Sequence, residues 1–155
     1  MLIYKWLLIS THAMIPDINE LLSYTNAKIL SRYSKNHPDS KMSGREALSE
    51  LMKFIWLCCI HKVELSLRPY DETLHFSCLI YDEMAEIDDM WHIFLLFTRD
   101  YQKFCADYLH GYFFHHDPIV SDEIPLNFEI NLRRYLEYIH DKLGEETLIK
   151  WFEKK

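Results

Sequence analysis

The segment from Ser43 to about residue 62 constrains the fold most strongly, because it has the pattern of a helix that is apolar on nearly every side. Ser43 and Glu46 match a capping box, in which a hydroxyl and a carboxylate satisfy free backbone donors where a helix begins. The apolar residues that follow are Leu48, Leu51, Met52, Phe54, Ile55, Trp56, Leu57, Cys58 and Cys59. A helix without a wide polar face needs neighbours all around it. The sequence therefore predicts a central core helix.

Helical periodicity covers most of the remaining chain. Pro16 and Asp17 suit a helix start, and apolar spacing continues to Tyr33 before a linker at residues 35–41. We expect further helices at about 82–97 and 98–109, with Thr98 as the second N-cap; one continuous helix is the alternative. Residues 128–143 form the clearest amphipathic pattern, ended by Gly144, and a short helix follows. Residues 1–12 are an apolar lead-in, and residues 75–81 fit either a strand or a helix lead-in.

These elements predict a compact all-α bundle of five to seven helices, with room for one short extended segment. Three Gly and five Pro in 155 residues are few for the tight turns of a β-sandwich. The length suits one domain over residues 1–155, with a helical lead-in at 1–42 and a motif-bearing core at 43–155. The 15% aromatic content also allows a homodimer that covers an apolar patch.

Acidic charge is concentrated in one part of the chain. Residues 69–97 contain seven Asp and Glu and no Lys or Arg, which equals the net charge of −7. Such a face attracts cations or a basic protein partner, although a solvated helix face that aids solubility is the alternative. The partner-binding candidates are Asp82, Glu83, Glu86 and Asp89. The 17 Lys and Arg form no basic stripe, which disfavours nucleic-acid binding.

The cysteines and the terminal sequence bear on cellular location. Cys58, Cys59, Cys78 and Cys105 match neither a zinc-binding spacing nor a secreted disulfide framework, so buried reduced thiols are expected. The apolar run at the amino terminus is short for a signal peptide, and nothing approaches the roughly 20 apolar residues of a membrane span. We expect a soluble, cytoplasmic protein that does not bind membranes.

Asp88 and His92 carry the strongest chemical signal. They are four residues apart, so on a helix both project from one face. A carboxylate and an imidazole at that spacing can share one divalent metal, zinc, iron or manganese, with His115 or His116 completing the set. They can equally form an acid/base dyad in which Asp88 or Asp89 orients the imidazole as a general base. An ordinary surface hydrogen bond remains the alternative to both.

A longer motif surrounds this pair and resembles the glycine-rich domain-containing protein-like family. The motif comprises Asp88-x-x-Trp91-His92, Thr98-x-x-Tyr101-x-x-Phe104-Cys105, Gly111, His115-His116 and Pro118. The resemblance covers roughly residues 45–152. It implies a polar set of Asp88, His92, Cys105, His115 and His116, with Trp91 as packing and Gly111 as a turn residue. It names no reaction.

One position departs from the pattern of that family. Phe94 stands where the family has the second histidine of W-H-x-H, which removes one candidate ligand and leaves Asp89 as a substitute. Cys105 could serve as a nucleophile only with a nearby base, and a buried structural thiol is the favoured interpretation.

Two functions are consistent with these features. The first is a small metal-dependent or acid/base enzyme built on Asp88, His92 and the histidine pair. The second is a non-catalytic module that docks on a partner protein, for instance to inhibit an enzyme, through the acidic face at residues 71–89.

Overall fold

A computed structural model describes residues 15–117 and 126–153, and within these ranges the chain forms seven α-helices and no β-strand. This confirms the predicted all-α fold. The apolar lead-in at 1–12 and Pro118 lie outside the described residues. The helices are α1 (Ile18–Ser23), α2 (Ala27–Asn36), α3 (Gly44–Leu67), α4 (Ala85–Leu96), α5 (Thr98–Tyr108), α6 (Phe128–Leu143) and α7 (Glu145–Phe152).

Helix α3 is the centre of the bundle, as its apolar sequence predicts. The Ser43 hydroxyl accepts the Glu46 backbone N–H at 3.2 Å, and the Glu46 carboxylate accepts the Ser43 N–H at 3.0 Å, so the capping box is present. Twelve of the 24 residues of α3 are buried, and α1, α2, α4 and α6 all pack against it. The helix extends five residues beyond the predicted end at Lys62.

The predicted first helix is divided into α1 and α2. Asp17 caps α1, and the Asn26 side chain accepts the N–H groups of Lys28 and Ile29 to begin α2. Asn favours this N-cap geometry over a helix interior, which explains the break. Arg45 satisfies the carbonyls exposed there, bonding to Tyr24 at 2.8 Å and Leu22 at 3.1 Å.

A second break, at Phe97, separates α4 from α5, so the predicted division into two helices is confirmed. Thr98 is the first residue of α5 and not its cap; Phe97 holds that position without a side-chain cap bond. Residues 75–81 form neither a strand nor a helix; they lie between 3₁₀ turns at Glu72–Leu74 and Asp82–Met84.

The carboxyl-terminal helices close the bundle. Gly144 has a φ of 86° at the junction of α6 and α7, a left-handed conformation that favours glycine. Trp151 of α7 is buried and its indole N–H bonds to Glu50 of α3 at 2.9 Å. One continuous hydrophobic cluster includes residues of α1 and α2 as well as α3–α7. Among the described residues, none of the helices has the length and apolarity needed to cross a bilayer.

Candidate metal site at the mouth of a groove

Helix α4 presents Asp88 and His92 on one accessible face, one turn apart. The Nδ1 atom of His92 lies 3.4 Å from Oδ2 of Asp88. Met90 and Phe94, on the opposite side of the helix, are completely buried, and that burial fixes the rotation of α4. The amphipathic pattern of α4 therefore turns the carboxylate and the imidazole away from the core.

The chain that follows α5 brings a third side chain to this pair. Gly111 turns the chain with a φ of 81°, and its N–H bonds to the Cys105 carbonyl at 3.2 Å. The hydroxyl of Tyr101 then donates a short hydrogen bond to the carbonyl of Phe114. Two residues later, Nε2 of His116 reaches Oδ1 of Asp88 at 2.9 Å.

The buried Trp91 side chain contacts Tyr101, Phe114 and His116 from the core side. Its indole N–H donates to the Tyr101 hydroxyl at 3.1 Å, and its ring stacks on Phe114 with centroids 5.0 Å apart. The same ring meets His116 edge-on at 4.4 Å. Because the indole is only 5% exposed, the His116 ring rests on a fixed base.

Asp88, His92 and His116 together offer three ligand atoms that lie within 4.8 Å of one another. Their accessibility differs: the side chain of His116 is 16% exposed, that of Asp88 35% and that of His92 56%. The two imidazole rings lie 4.6 Å apart between centroids. The cluster is thus packed against the protein at His116 and exposed to solvent at His92.

The other predicted ligands do not join this group. His115 is exposed and packs on Phe113, with centroids 4.8 Å apart, although it lines the same groove. Asp89 is directed to α2, where it lies 3.4 Å from Nδ1 of His37. Phe94 is buried among Tyr24, Tyr101 and Phe104, so the position that holds a histidine in the resembled family belongs to the core here.

The cluster lies on a groove of about 490 Å³. Apolar and aromatic residues line much of it, including Phe54, Ile80, Tyr81 and Phe114. Cys58 and Cys78 also line it, although the sequence alone indicates no function for these two residues. The sequence signal for Cys58 is its three-residue spacing from His61, which places both side chains on one face of a helix. Cys78 has no comparable signal.

Cys105 lies away from the groove lining and is 2% exposed. Burial raises the pKa of its thiol, only partly opposed by hydrogen bonding with the Phe114 backbone and Tyr101. Such a thiol is poorly disposed to act as a nucleophile at neutral pH.

The acidic segment has two parts that differ in charge compensation. Asp71 pairs with Arg68 at 2.9 Å and Glu72 with Arg134 at 3.7 Å. Among the residues that the structure describes, Asp82, Glu83 and Glu86 have no ion pair. Asp82 and Glu83 are exposed and Glu86 is partly exposed; of the three, Asp82 lines the groove.

Comparison with known families bears on this same part of the chain. A family model described as UCP032817-like matches residues 58–142, more than half of the 155 residues. The chain belongs to the UCP032817-like family. The matched UCP032817-like region contains all three residues of the Asp/His cluster and both cysteines of the groove. Searches of curated proteins and of solved structures found no match. The resemblance to the glycine-rich domain-containing protein-like family stays a prediction.

Proposed function

We propose that this chain is a divalent-metal-binding domain in which Asp88, His92 and His116 hold one metal ion at the mouth of the groove. The observation that carries the proposal is the convergence of three ligand atoms within 4.8 Å, from a helix and from a distant loop. Zinc is the first candidate, because one carboxylate and two imidazoles are ligands that it accepts; iron and manganese are the alternatives.

The separations of the ligand atoms support this proposal. A tetrahedral zinc ion with bonds of about 2.0–2.1 Å has ligand atoms about 3.3 Å apart. The carboxylate of Asp88 lies 2.9 Å from His116 Nε2 and 3.4 Å from His92 Nδ1. All three ligand atoms lie within 4.8 Å of one another, so rotations of these side chains would bring them to the spacing that zinc requires.

A three-ligand site of this kind leaves a coordination position for water or substrate, as catalytic zinc sites do. A zinc ion held there by Asp88, His92 and His116 would supply Lewis-acid chemistry and could activate a water for hydrolysis. The groove would hold the substrate beside it on aromatic and aliphatic walls. Asp82, Asp88 and Asp117 also line the groove, and their negative charge disfavours phosphorylated substrates.

Elemental analysis of untagged protein tests the proposal. We expect close to one metal ion per chain in the wild type and its loss in both His92→Ala and His116→Ala. The matched control is His115→Ala, an adjacent imidazole outside the cluster, which should retain the metal. Wild-type protein that contains no metal and shows no heat of binding on titration with zinc, iron(II) or manganese would exclude the site. The cluster would then be a hydrogen-bonded dyad or a structural contact.

A second candidate function is docking of a basic protein segment on Asp82, Glu83 and Glu86. It rests on the lack of ion pairs for these three acids in the described part of the chain, whereas Asp71 and Glu72 are compensated by arginines. Association of this kind should weaken as ionic strength increases.

A fluorescent lysine-rich peptide can probe this surface by anisotropy. Reversal of the three acids to lysine should abolish binding, while reversal of exposed acids elsewhere, Glu129, Glu137 and Glu145, should leave most of it. Equal effects of the two triple variants would reduce the interaction to net charge and contradict a docking face.

A further inference from the structure

A second group of reactive side chains lies on the wall of the groove, apart from the Asp/His cluster. Cys78 belongs to the irregular segment between the two 3₁₀ turns and is partly exposed. Cys58, on α3, lines the same groove. His61 follows one turn later on α3 and is buried at 7% exposure. Cys58 and His61 both interact with the Cys78 thiol through their side chains.

The orientation of the His61 ring follows from its surroundings. Its Nε2 lies 2.9 Å from the carbonyl oxygen of Leu74, and a carbonyl can only accept, so Nε2 carries a proton. The other ring nitrogen, Nδ1, is left to interact with Cys78. Phe76 covers one face of the ring at 4.2 Å, and Tyr138 meets it edge-on at 5.4 Å. These contacts fix the orientation of the imidazole, and its side chain interacts with that of Cys78.

This environment separates Cys78 from the other three cysteines. Hydrogen bonding from Cys58 lowers the pKa of the Cys78 thiol; burial opposes this, and His61 adds to the lowering. Burial raises the pKa of Cys58, and the neighbouring Cys78 raises it further. Burial also raises the pKa of Cys59 to about 12. Burial disfavours charge on His61, but Cys78 raises its pKa overall. A thiolate at Cys78 beside an imidazolium at His61 is the expected pair.

Other ionisable groups near this pair must be considered in any pH profile. Glu64 of α3 favours the charged form of His61. On α6, Tyr135 and Tyr138 face Cys78, but burial keeps the pKa of each well above its ordinary value, so both stay neutral near pH 7. Cys58 and His61 are thus the groups whose protonation couples to Cys78.

We propose that Cys78 and Cys58 form a dithiol site that reacts with a hydroperoxide, with His61 positioning and stabilising the Cys78 thiolate. The features are those of redox-sensing cysteines: Cys78 is partly exposed on the groove, and a second thiol, Cys58, lines the same groove. The groove provides the access, and the irregular backbone around Cys78 can adjust as a bond to Cys58 forms.

The chemistry balances with a hydroperoxide as the oxidant. The Cys78 sulfur attacks the terminal oxygen; an S–O bond forms, the O–O bond breaks, and the leaving alkoxide takes the proton from His61. Cys78 is then a sulfenic acid and the oxidant has become an alcohol, or water when it is hydrogen peroxide. Attack by the Cys58 sulfur forms the S–S bond and releases water, which takes up the thiol proton. Two electrons pass from the two thiols to the peroxide.

Competitive alkylation of the folded, metal-stripped wild type tests the first part. Limiting iodoacetamide at pH 7, followed by denaturation and a second isotopic label, reports the rate at each cysteine by mass spectrometry. We expect Cys78 to react at least tenfold faster than Cys59 or Cys105, with a midpoint below that of an ordinary thiol. In His61→Gln that midpoint should move upward. Should the variant fail to fold, the wild-type profile decides. Equal rates at Cys78 and Cys105 would overturn the proposal.

Hydrogen peroxide tests the second part. Equimolar peroxide should produce a Cys58–Cys78 disulfide, seen by peptide mapping and as a loss of 2 Da that thiols reverse. In Cys58→Ser, Cys78 should remain a sulfenic acid that dimedone traps, whereas Cys59→Ser should behave as the wild type. A wild-type protein in which peroxide modifies Cys59 or Cys105 first, or in which Cys78 forms no bond to Cys58, contradicts the dithiol. Because the chelated protein is used, the result is independent of the metal proposal.

Discussion

Two carboxylates on neighbouring helices, Glu50 on α3 and Asp88 on α4, have opposite environments. The Glu50 side chain is 3% exposed and accepts hydrogen bonds from Lys53 at 3.1 Å, Lys150 at 3.3 Å and Trp151 at 2.9 Å. The Asp88 side chain is 35% exposed, and its partners are two imidazoles, His116 and His92.

These two environments distinguish a structural polar cluster from a candidate functional one. Glu50 is buried and accepts hydrogen bonds from three side chains that tie α7 to α3, so the carboxylate is not accessible to a ligand. Asp88 is accessible to solvent. A metal ion can replace the proton that the carboxylate shares with its imidazole partners. A buried carboxylate whose hydrogen bonds are all made within the protein indicates a structural role. A solvent-accessible carboxylate that contacts histidines at a groove indicates a candidate ligand-binding site.

Glu50→Ala should cause the largest loss of stability, about 3 kcal/mol in the free energy of unfolding. The substitution leaves the buried indole N–H of Trp151 without an acceptor and two lysines without a counter-charge. Urea unfolding monitored by circular dichroism measures it. Glu137→Ala, at an exposed acid on α6, is the control and should change stability by less than about 0.5 kcal/mol. A similarly small effect for Glu50→Ala would remove its role as an anchor.

Tyr101→Phe should cost about 2 kcal/mol, because the indole N–H of Trp91 and the carbonyl of Phe114 both lose a partner in the interior. It should also weaken metal binding, since Phe114 holds the chain that carries His116. Urea unfolding and zinc titration calorimetry report the two effects. Tyr112→Phe removes an exposed hydroxyl and should alter neither. If zinc affinity is unchanged in Tyr101→Phe, His116 does not depend on this support.

Glu64 provides a pH-dependent test of a partly buried anchor. Burial raises its pKa, but hydrogen bonds from Lys142 and Tyr138 outweigh this, so its pKa is lowered overall. A lowered folded-state pKa contributes stability that is present above the unfolded-state pKa and is lost as the pH falls through the folded-state value.

Glu64→Gln should therefore be less stable than the wild type by about 1 kcal/mol at pH 7, a magnitude typical of exposed to partly buried ion pairs. The deficit should shrink as the pH falls below about 4.5 and the wild-type carboxylate is protonated. Urea titrations at pH 7, 5 and 3 measure it, with Glu72→Gln as the exposed control. A deficit that is constant with pH would assign the effect to packing.

Asp88→Asn should have the smallest effect on the metal-free protein, under about 1 kcal/mol, because its contacts are half exposed. Its effect on metal content should nevertheless be complete. Urea unfolding in the presence of a chelator measures the stability of the metal-free protein. Elemental analysis without chelator measures the metal content. A loss of stability as large as that of Glu50→Ala in chelator would make Asp88 an anchor and erase the contrast between the two clusters.

Much of the helical architecture could be predicted from local sequence. The capping box at Ser43 and the terminating Gly144 act within one turn of the chain, so their signals are readable without tertiary context. Local cues failed at Asn26, which divides the first predicted helix, and at Thr98, which begins α5 without capping it. A polar residue within a segment of helical apolar spacing can either cap a helix or face solvent from its middle. Tertiary packing decides which of the two occurs.

The candidate site was predictable in part for the same reason. The four-residue spacing of Asp88 and His92 places them together on any helix. Whether His115 or His116 contacts Asp88 and His92 depends on the course of the backbone after Gly111. The hydrogen bond from the Tyr101 hydroxyl to the Phe114 carbonyl sets that course. A shift of one residue in an extended segment turns a side chain to the opposite side.

Local sequence is sufficient to predict the helical class, the central α3 and the pairing of Asp88 with His92, because each follows from patterns within a few residues. Tertiary structure alone brought His116 to Asp88, directed Asp89 to His37, and set Cys78 against Cys58 and His61. Contacts across 28 residues, as between Asp88 and His116, depend on the packing of many side chains at once. No local pattern in the chain encodes that packing.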